Sequence, residues 1–299
     1  MRSPLSFFIF ALICAVLFGN GCQPASKEKS ISDYIASLQN GNYLKRVAAA
    51  KALSEKVGPE DAAAVEPLSR ALKDQDESIR IYAVKALGRI GDPEALPIII
   101  EATRDPSSYV RYEAVMVLDL FPDPRSIDAL RKSLRDESSH VRYAACQSLG
   151  DLKAAGTFHH LIFALKDESS YVRSSAALAL AKLGDSSAVP ALEQNLTDPN
   201  EWVRNSAALA LHELGSVSGI SVLIDNLSSE TADKGGKVRA QAVEYLRRLS
   251  GQNFGFDPDA SAQKRQPAVV RWKDWARKRQ VSESAPAGSG EKTGPGGGR

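Results

Sequence analysis

Few side chains in this 299-residue chain are of types that do chemistry unaided, and their spacing argues against most of it. There are four histidines, His140, His159, His160 and His212, and three cysteines, Cys14, Cys22 and Cys146. A metal site needs ligands converging from one side. His159 and His160 are neighbours, so on a helix they point about 100° apart and cannot chelate one ion from one face. The cysteines form no Cys-x-x-Cys pair, and the chain has no phosphate loop and no nucleophile elbow. Cys146 falls on an apolar position and reads as a small buried hydrophobe, not a nucleophile. No metal and no cofactor is therefore expected. A formal charge of +2 with 25% charged residues lacks the basic bias of a nucleic-acid binder, and no nucleic acid is expected as a partner.

The residue that does recur is an arginine, as Arg46, Arg80, Arg111, Arg142, Arg173, Arg204 and Arg239, at spacings of 34, 31, 31, 31, 31 and 35 residues. Six residues before each stands an acid or its amide: Asn40, Asp74, Asp105, Asp136, Asp167, Asp198 and Asp233. The acid is expected to cap the helix that carries the arginine, accepting from its free amides. About one turn later, the planar fork of the arginine can reach the acid of its own or an adjacent unit. Seven such pairs would form a structural ladder. Exposed pairs contribute roughly 0–1 kcal/mol each, so the ladder is expected to set stacking register more than bulk stability.

A period near 31 containing two helix-length segments is that of an all-α solenoid, whose units bury their apolar faces only by stacking. Apolar residues fall one before and three, four, seven and ten after the arginine: Ile79, Ala83, Val84, Leu87 and Ile90 in the second unit. That is helical periodicity. The alanine three places after the arginine recurs as Ala83, Ala114, Ala145, Ala176, Ala207 and Ala242, small enough to let neighbouring helix pairs approach closely. Gly91, Gly184 and Gly215 read as left-handed caps, and Pro93, Pro124 and Pro190 open the next first helix or lie in its first turns.

Two residues before the arginine the chain carries Ser78, Tyr109, His140, Tyr171, Trp202 and Lys237, a ring in four successive units. One and five places after it stand Tyr112 and Met116, Tyr143 and Gln147, Ser174 and Leu178, then Asn205 and Leu209. If the second helices line the inner surface, Tyr109, Tyr112, His140, Tyr143, Tyr171 and Trp202 form a semi-apolar groove of the kind that marks binding sites. Packing of the same rings onto the next turn is the competing reading.

The pattern Asp-x-x-x-x-Val-Arg-x-x-Ala-Ala-x-Ala-Leu-Gly, present as DESSYVRSSAALALAKLG, resembles the HEAT repeat in its short bacterial form, similar to the HEAT-like repeats of phycobilisome lyases, over about residues 30–250. The resemblance implies a right-handed solenoid of about seven helix pairs with the second helices inside. It also implies a non-catalytic scaffold for a protein or peptide partner. HEAT proteins include lyases and a hydroxylase, so a lyase or metal-dependent enzyme on the same scaffold is the alternative. His212 and Glu213 are similar to the His-Glu pairs with which that hydroxylase holds iron, but the family uses several pairs and this chain has one.

The ends differ from the repeat. An apolar run from Leu5 to Phe18 is too short for a spanning helix, which needs about 17–25 residues, and residues 1–21 read as an export signal. Cys22 after Gly21 resembles the acylated cysteine of a bacterial lipoprotein, which implies a membrane anchor, and Gln23 implies the outer membrane. Residues 22–29 form a linker. Localisation at the cell envelope follows from that reading. Residues 251–279 resemble a closing motif in which a Gly-x-x-[Phe/Tyr]-Gly-[Phe/Tyr]-Asp-Pro turn precedes a short helix bearing Trp272 and Trp275. Two such rings suit a cap over the last apolar face. Lys264, Arg265, Arg271, Lys273, Arg277, Lys278 and Arg279 read as the solvated basic side of that helix. Residues 280–299 lack periodicity and are expected to be disordered.

Overall fold

The computed structural model describes residues 29–230 and 236–284, in which there are fifteen α-helices and no strand. Fourteen of the helices form seven successive pairs. These are α1 (Ile31–Asn40) with α2 (Tyr43–Lys56), α3 (Val65–Ala71) with α4 (Glu77–Ile90), and α5 (Leu96–Ala102) with α6 (Ser108–Val117). Next come α7 (Pro124–Ser133) with α8 (Ser139–Asp151), and α9 (Phe158–Ala164) with α10 (Ser170–Leu183). The series ends with α11 (Val189–Asn195) and α12 (Glu201–Glu213), α13 (Ile220–Asn226) and α14 (Lys237–Ser250), and the closing helix α15 (Ala262–Ser284). The chain is an α-solenoid. The signal, Cys22 and Asp233 lie outside the described residues, and no described helix is long and apolar enough to cross a membrane.

Each second helix packs on the second helix before and after it, while the first helices touch one another more sparsely. The more tightly packed layer is the inner one of a curved stack. All six alanines three places after the arginine are buried in it. Glycines also allow close contact between units, as Gly150 on α8 does. A Cβ there would stand 2.8 Å from Ala179 Cα and 2.9 Å from Ala179 Cβ on α10. Gly91 and Gly184 end α4 and α10 with φ of 68° and 74°, the left-handed conformation expected of them.

The expectation for the helix caps needs correction. The caps of α4, α6, α8, α10 and α12 are Asp76, Ser107, Ser138, Ser169 and Asn200, two residues after the ladder acid. Each acid instead accepts from the backbone amide of the capping residue, as Asp136 does from Ser138 at 2.8 Å and Asp167 from Ser169 at 2.8 Å. The acid therefore shapes the turn into the helix. In the first unit Asn40 ends α1, and Asn42 caps α2 by accepting from the Lys45 amide.

The core divides at the sixth unit. One cluster runs from Leu38 to Leu211, and a second joins Ala208, α13, α14 and the closing segment. Between units six and seven lies a buried polar network. Asn226 Nδ2 donates to Asn205 Oδ1 at 2.6 Å, and Asn205 Nδ2 donates to Val238 O and Gln241 Oε1 at 3.2 and 3.0 Å. Bonded to one another and to α14, these amides add buried directional bonds between the last two units.

The closing segment packs as a cap. Trp272 is fully buried, with Phe254 edge-on at 4.7 Å and Trp275 edge-on at 5.6 Å between ring centroids. Two expectations change here. Helix α15 continues to Ser284, beyond residue 279, and residues 285–299 lie outside the described residues. Arg265 is not on a solvated face: it is buried, pairs with Glu230 and donates to Ala260 O at 2.9 Å.

Candidate binding groove

The ladder is formed between units. Arg80, Arg111, Arg142 and Arg173 each fork onto the acid of the following unit, Asp105, Asp136, Asp167 and Asp198, with Nε to Oδ2 at 2.7–2.8 Å and a terminal nitrogen to Oδ1 at 2.8–2.9 Å. The other terminal nitrogen turns back to the backbone carbonyl of the acid in its own unit, as Arg142 does to Asp136 O at 2.9 Å. One guanidinium thus joins two turns of adjacent units. The acid's hydrogen bonds hold all four guanidinium groups above the usual arginine range.

The ends of the ladder are irregular. Arg46 makes a single bond to Asp74 at 3.0 Å. Arg204 finds Asn226 Oδ1 at 3.1 Å in the following unit, with Glu201 on its own helix at 3.3 Å. Arg239 donates to Ser229 O and, at 2.9 Å, to Pro258 O, which fastens the last repeat to the turn of the cap. The central pairs are not exposed ones: the side chains of Arg142 and Asp167 are 8% and 14% accessible. Their stacking on the next unit shields them from water, so removing one partner leaves the other charge shielded and unpaired, at a cost above that of an exposed pair.

The inner layer of units four to seven encloses a groove of about 970 Å³. Tyr143 comes from α8, Tyr171 and Leu178 from α10, Trp202 and Leu209 from α12, and Gln241 and Tyr245 from α14. Tyr171 and Trp202 stand on the rim, 75% and 38% exposed, while Tyr143 and Tyr245 are half-buried. The second helices supply all of them; Tyr143, Tyr171, Leu178, Trp202 and Leu209 stand two before or one or five after the arginine, positions that share one helical face.

Of the six predicted groove residues, three are brought together here: Tyr143, Tyr171 and Trp202. Tyr109 and His140 are exposed but do not line this groove, and Tyr112 is half-buried against the core. Asn205, expected beside them, is turned inward into the polar network. Sequence reasoning missed Gln241 and Tyr245, which stand two and six after Arg239 and not at the positions one and five after the arginine. It also missed the position nine after the arginine, which holds Asp151, Lys182, Glu213 and Arg248 in alternating sign. Lys182, Glu213 and Arg248 line the groove, Lys182 paired with Asp151 and Arg248 with Glu213 at 2.6 Å. Burial pushes the Tyr245 phenol above its usual range.

These groups can grip a segment between rings, amides and paired charges. The side chains of more reactive type are placed otherwise. Cys146 is buried, and burial pushes its thiol up to about 12, so almost no thiolate exists near neutral pH. His159 stacks edge-on with Phe158 at 5.3 Å. Among the described residues no group of three His, Cys, Asp or Glu side chains is disposed to hold a metal ion.

The helical stack is similar to several solved structures. YibA of Escherichia coli is 20% identical with a TM-score of 0.57, over 93% of this chain and 98% of that one. A designed armadillo repeat protein in complex with peptide (KR)4 is 23% identical with a TM-score of 0.50, over 62% of this chain and all of its own. The complex of CpcE and CpcF of phycocyanin lyase from Nostoc is 22% identical with a TM-score of 0.48, over 86% and 98%. At such identities these likenesses concern the fold alone, and the last carries no argument. No curated protein matches the chain. The family described as HEAT repeats matches residues 31–107, 96–162 and 158–247, which together take in all seven helix pairs. The chain therefore belongs to the HEAT-repeat family.

Proposed function

We propose that the chain is a non-catalytic scaffold that holds a segment of a protein partner in the groove of units four to seven, tethered to the cell envelope by lipid on Cys22. The observation that carries the binding reading is the exposure of Tyr171 and Trp202 on the rim of a groove whose half-buried lining includes Tyr143 and Tyr245. Large rings left in water over a concave surface are what binding sites offer and what folding alone has no use for. The designed armadillo repeat protein of similar fold, itself in complex with a peptide, supports a peptide segment as the occupant. The envelope location rests on the apolar N-terminal run and Cys22. No arrangement among the described residues favours the alternative, a lyase or metal-dependent enzyme on this scaffold.

The test is the double variant Tyr171→Ala with Trp202→Ala. Removal of two anchoring rings costs 2 kcal/mol or more, on the order of a thirty-fold loss of affinity, so capture of partners from envelope extract is abolished while circular dichroism and melting stay nearly unchanged. A much lower melting temperature would make the rings packing residues and end the groove reading. The anchor is tested separately. Cys22→Ser releases the protein from the membrane fraction or blocks processing, and an unchanged mass and membrane partition would refute it.

A further inference from the structure

A second groove, of about 660 Å³, lies on the outer layer between α5 and α7 of units three and four. Arg125, Asp128, Lys132 and Arg135 line one wall at steps of three, four and three residues, a single stripe along α7 and into its turn. Pro97, Ile100 and Arg104 line the other, and Ala129 completes an apolar floor. The lining carries five cationic side chains against two acidic ones. Neither acid is free to neutralise the cations. Asp128 pairs with Arg131, and both oxygens of Asp136 are taken by the fork of Arg111. Arg125 is held by Asp123 at 3.0 Å. Arg104, Lys132 and Arg135 remain, all exposed, and among the described residues their side chains have no hydrogen bond or ion pair.

We propose that this outer groove binds a short acidic peptide segment, laid along α5 and α7 with carboxylates on Arg104, Lys132 and Arg135 and an aliphatic side chain on the floor between them. Arg104 and Arg135 occupy equivalent positions in successive units and line facing walls, so a segment laid between them can present a carboxylate to each. From Arg125 to Arg135 the stripe is about 15 Å long at the helical rise, the span of four or five extended residues. The apolar strip of Pro97, Ile100 and Ala129 calls for an aliphatic group among the charges, which a nucleic acid lacks. A bilayer surface is too flat to enter a groove between two helices. The site is separate from the inner groove and stands or falls independently of it.

The experiment uses the full chain and a fluorescent, blocked hexapeptide of sequence acetyl-Glu-Leu-Glu-Glu-Leu-Glu-amide, read by anisotropy. Binding is expected to weaken steadily as salt rises from about 50 to 300 mM, since exposed charges are screened over that range. Replacing every glutamate by glutamine should abolish it. The double reversal Arg104→Glu with Arg135→Glu should lower affinity at least tenfold, and Lys132→Gln alone about threefold, which keeps the test open if the double variant folds poorly. Tyr171→Ala with Trp202→Ala should leave this binding unchanged. No peptide binding, or equal binding by the reversed variant, overturns the proposal. It is overturned too if phosphatidylglycerol vesicles or inorganic phosphate bind with the same dependence on Arg104 and Arg135 while the peptide does not.

Discussion

Arg142 forks onto Asp167, 25 residues further along the chain and in the next unit, with Nε to Oδ2 at 2.8 Å and a terminal nitrogen to Oδ1 at 2.9 Å. The same guanidinium also holds Asp136 O and Glu137 O of its own unit. Arg142→Ala leaves Asp167 largely shielded and without its cation. That should cost about 3 kcal/mol, comparable to the roughly 2–5 kcal/mol for Leu149→Ala in the core. Arg142→Lys should recover little, because an ammonium cannot fork. Urea unfolding of the three variants checks this. A loss under 1 kcal/mol for Arg142→Ala would return the ladder to the surface class.

The ladder also predicts a response to acid. Burial alone would raise the Asp198 carboxyl, but the bonds from Arg173 and the Asn200 amide outweigh it and hold Asp198 below the usual carboxylate range. A carboxyl whose folded value lies below its unfolded one, about 3.9, stabilises above that pH, and the gain is lost as pH falls through the folded value. Asp198→Asn should therefore be destabilising at pH 7 and should converge with the parent as pH falls through that lowered value. A difference that stays constant with pH would count against the pair as its cause.

Asp119 should behave in the opposite sense. Burial first, and the charge of Asp151 second, raise its carboxyl above the usual range. A raised carboxyl is more easily ionised in the unfolded chain, so stability falls as pH rises from the unfolded value through the folded one. Asp119→Asn is expected to raise the melting temperature at pH 7 and to give no gain near pH 3. Destabilisation at pH 7 would show that the bond from the Leu120 amide outweighs the cost of burial.

Trp272 closes the second core cluster, and its removal should be felt locally. Trp272→Ala is expected to cost about 3–5 kcal/mol. Because solenoid units depend chiefly on their neighbours, hydrogen exchange should speed up in α13, α14 and α15 while α2 to α8 keep their protection. Uniform loss of protection along the chain would mean the two core clusters unfold as one.

Much of this architecture was legible in the residues. The recurrence of Arg80, Arg111, Arg142 and Arg173 at 31 residues, with alanine three places on, sufficed for seven stacked helix pairs, since the order of apolar residues along one helix is a local property. Trp272 was legible as a cap for the same reason: a large ring on a non-repeating helix needs a surface to cover.

Stacking geometry decided the rest. Whether Arg142 meets the acid of its own unit or of the next depends on the offset between helix pairs, which no local pattern encodes. That offset also buries the ladder and brings Gly150 against Ala179 of the next second helix. It gathers Tyr143, Tyr171 and Trp202 into one groove with Tyr245 while leaving Tyr109 and His140 apart. Sequence by itself determined which faces are apolar and how often they repeat. Only the tertiary structure decided which side chains of different units meet, because those meetings are set by the rotation and translation between helix pairs.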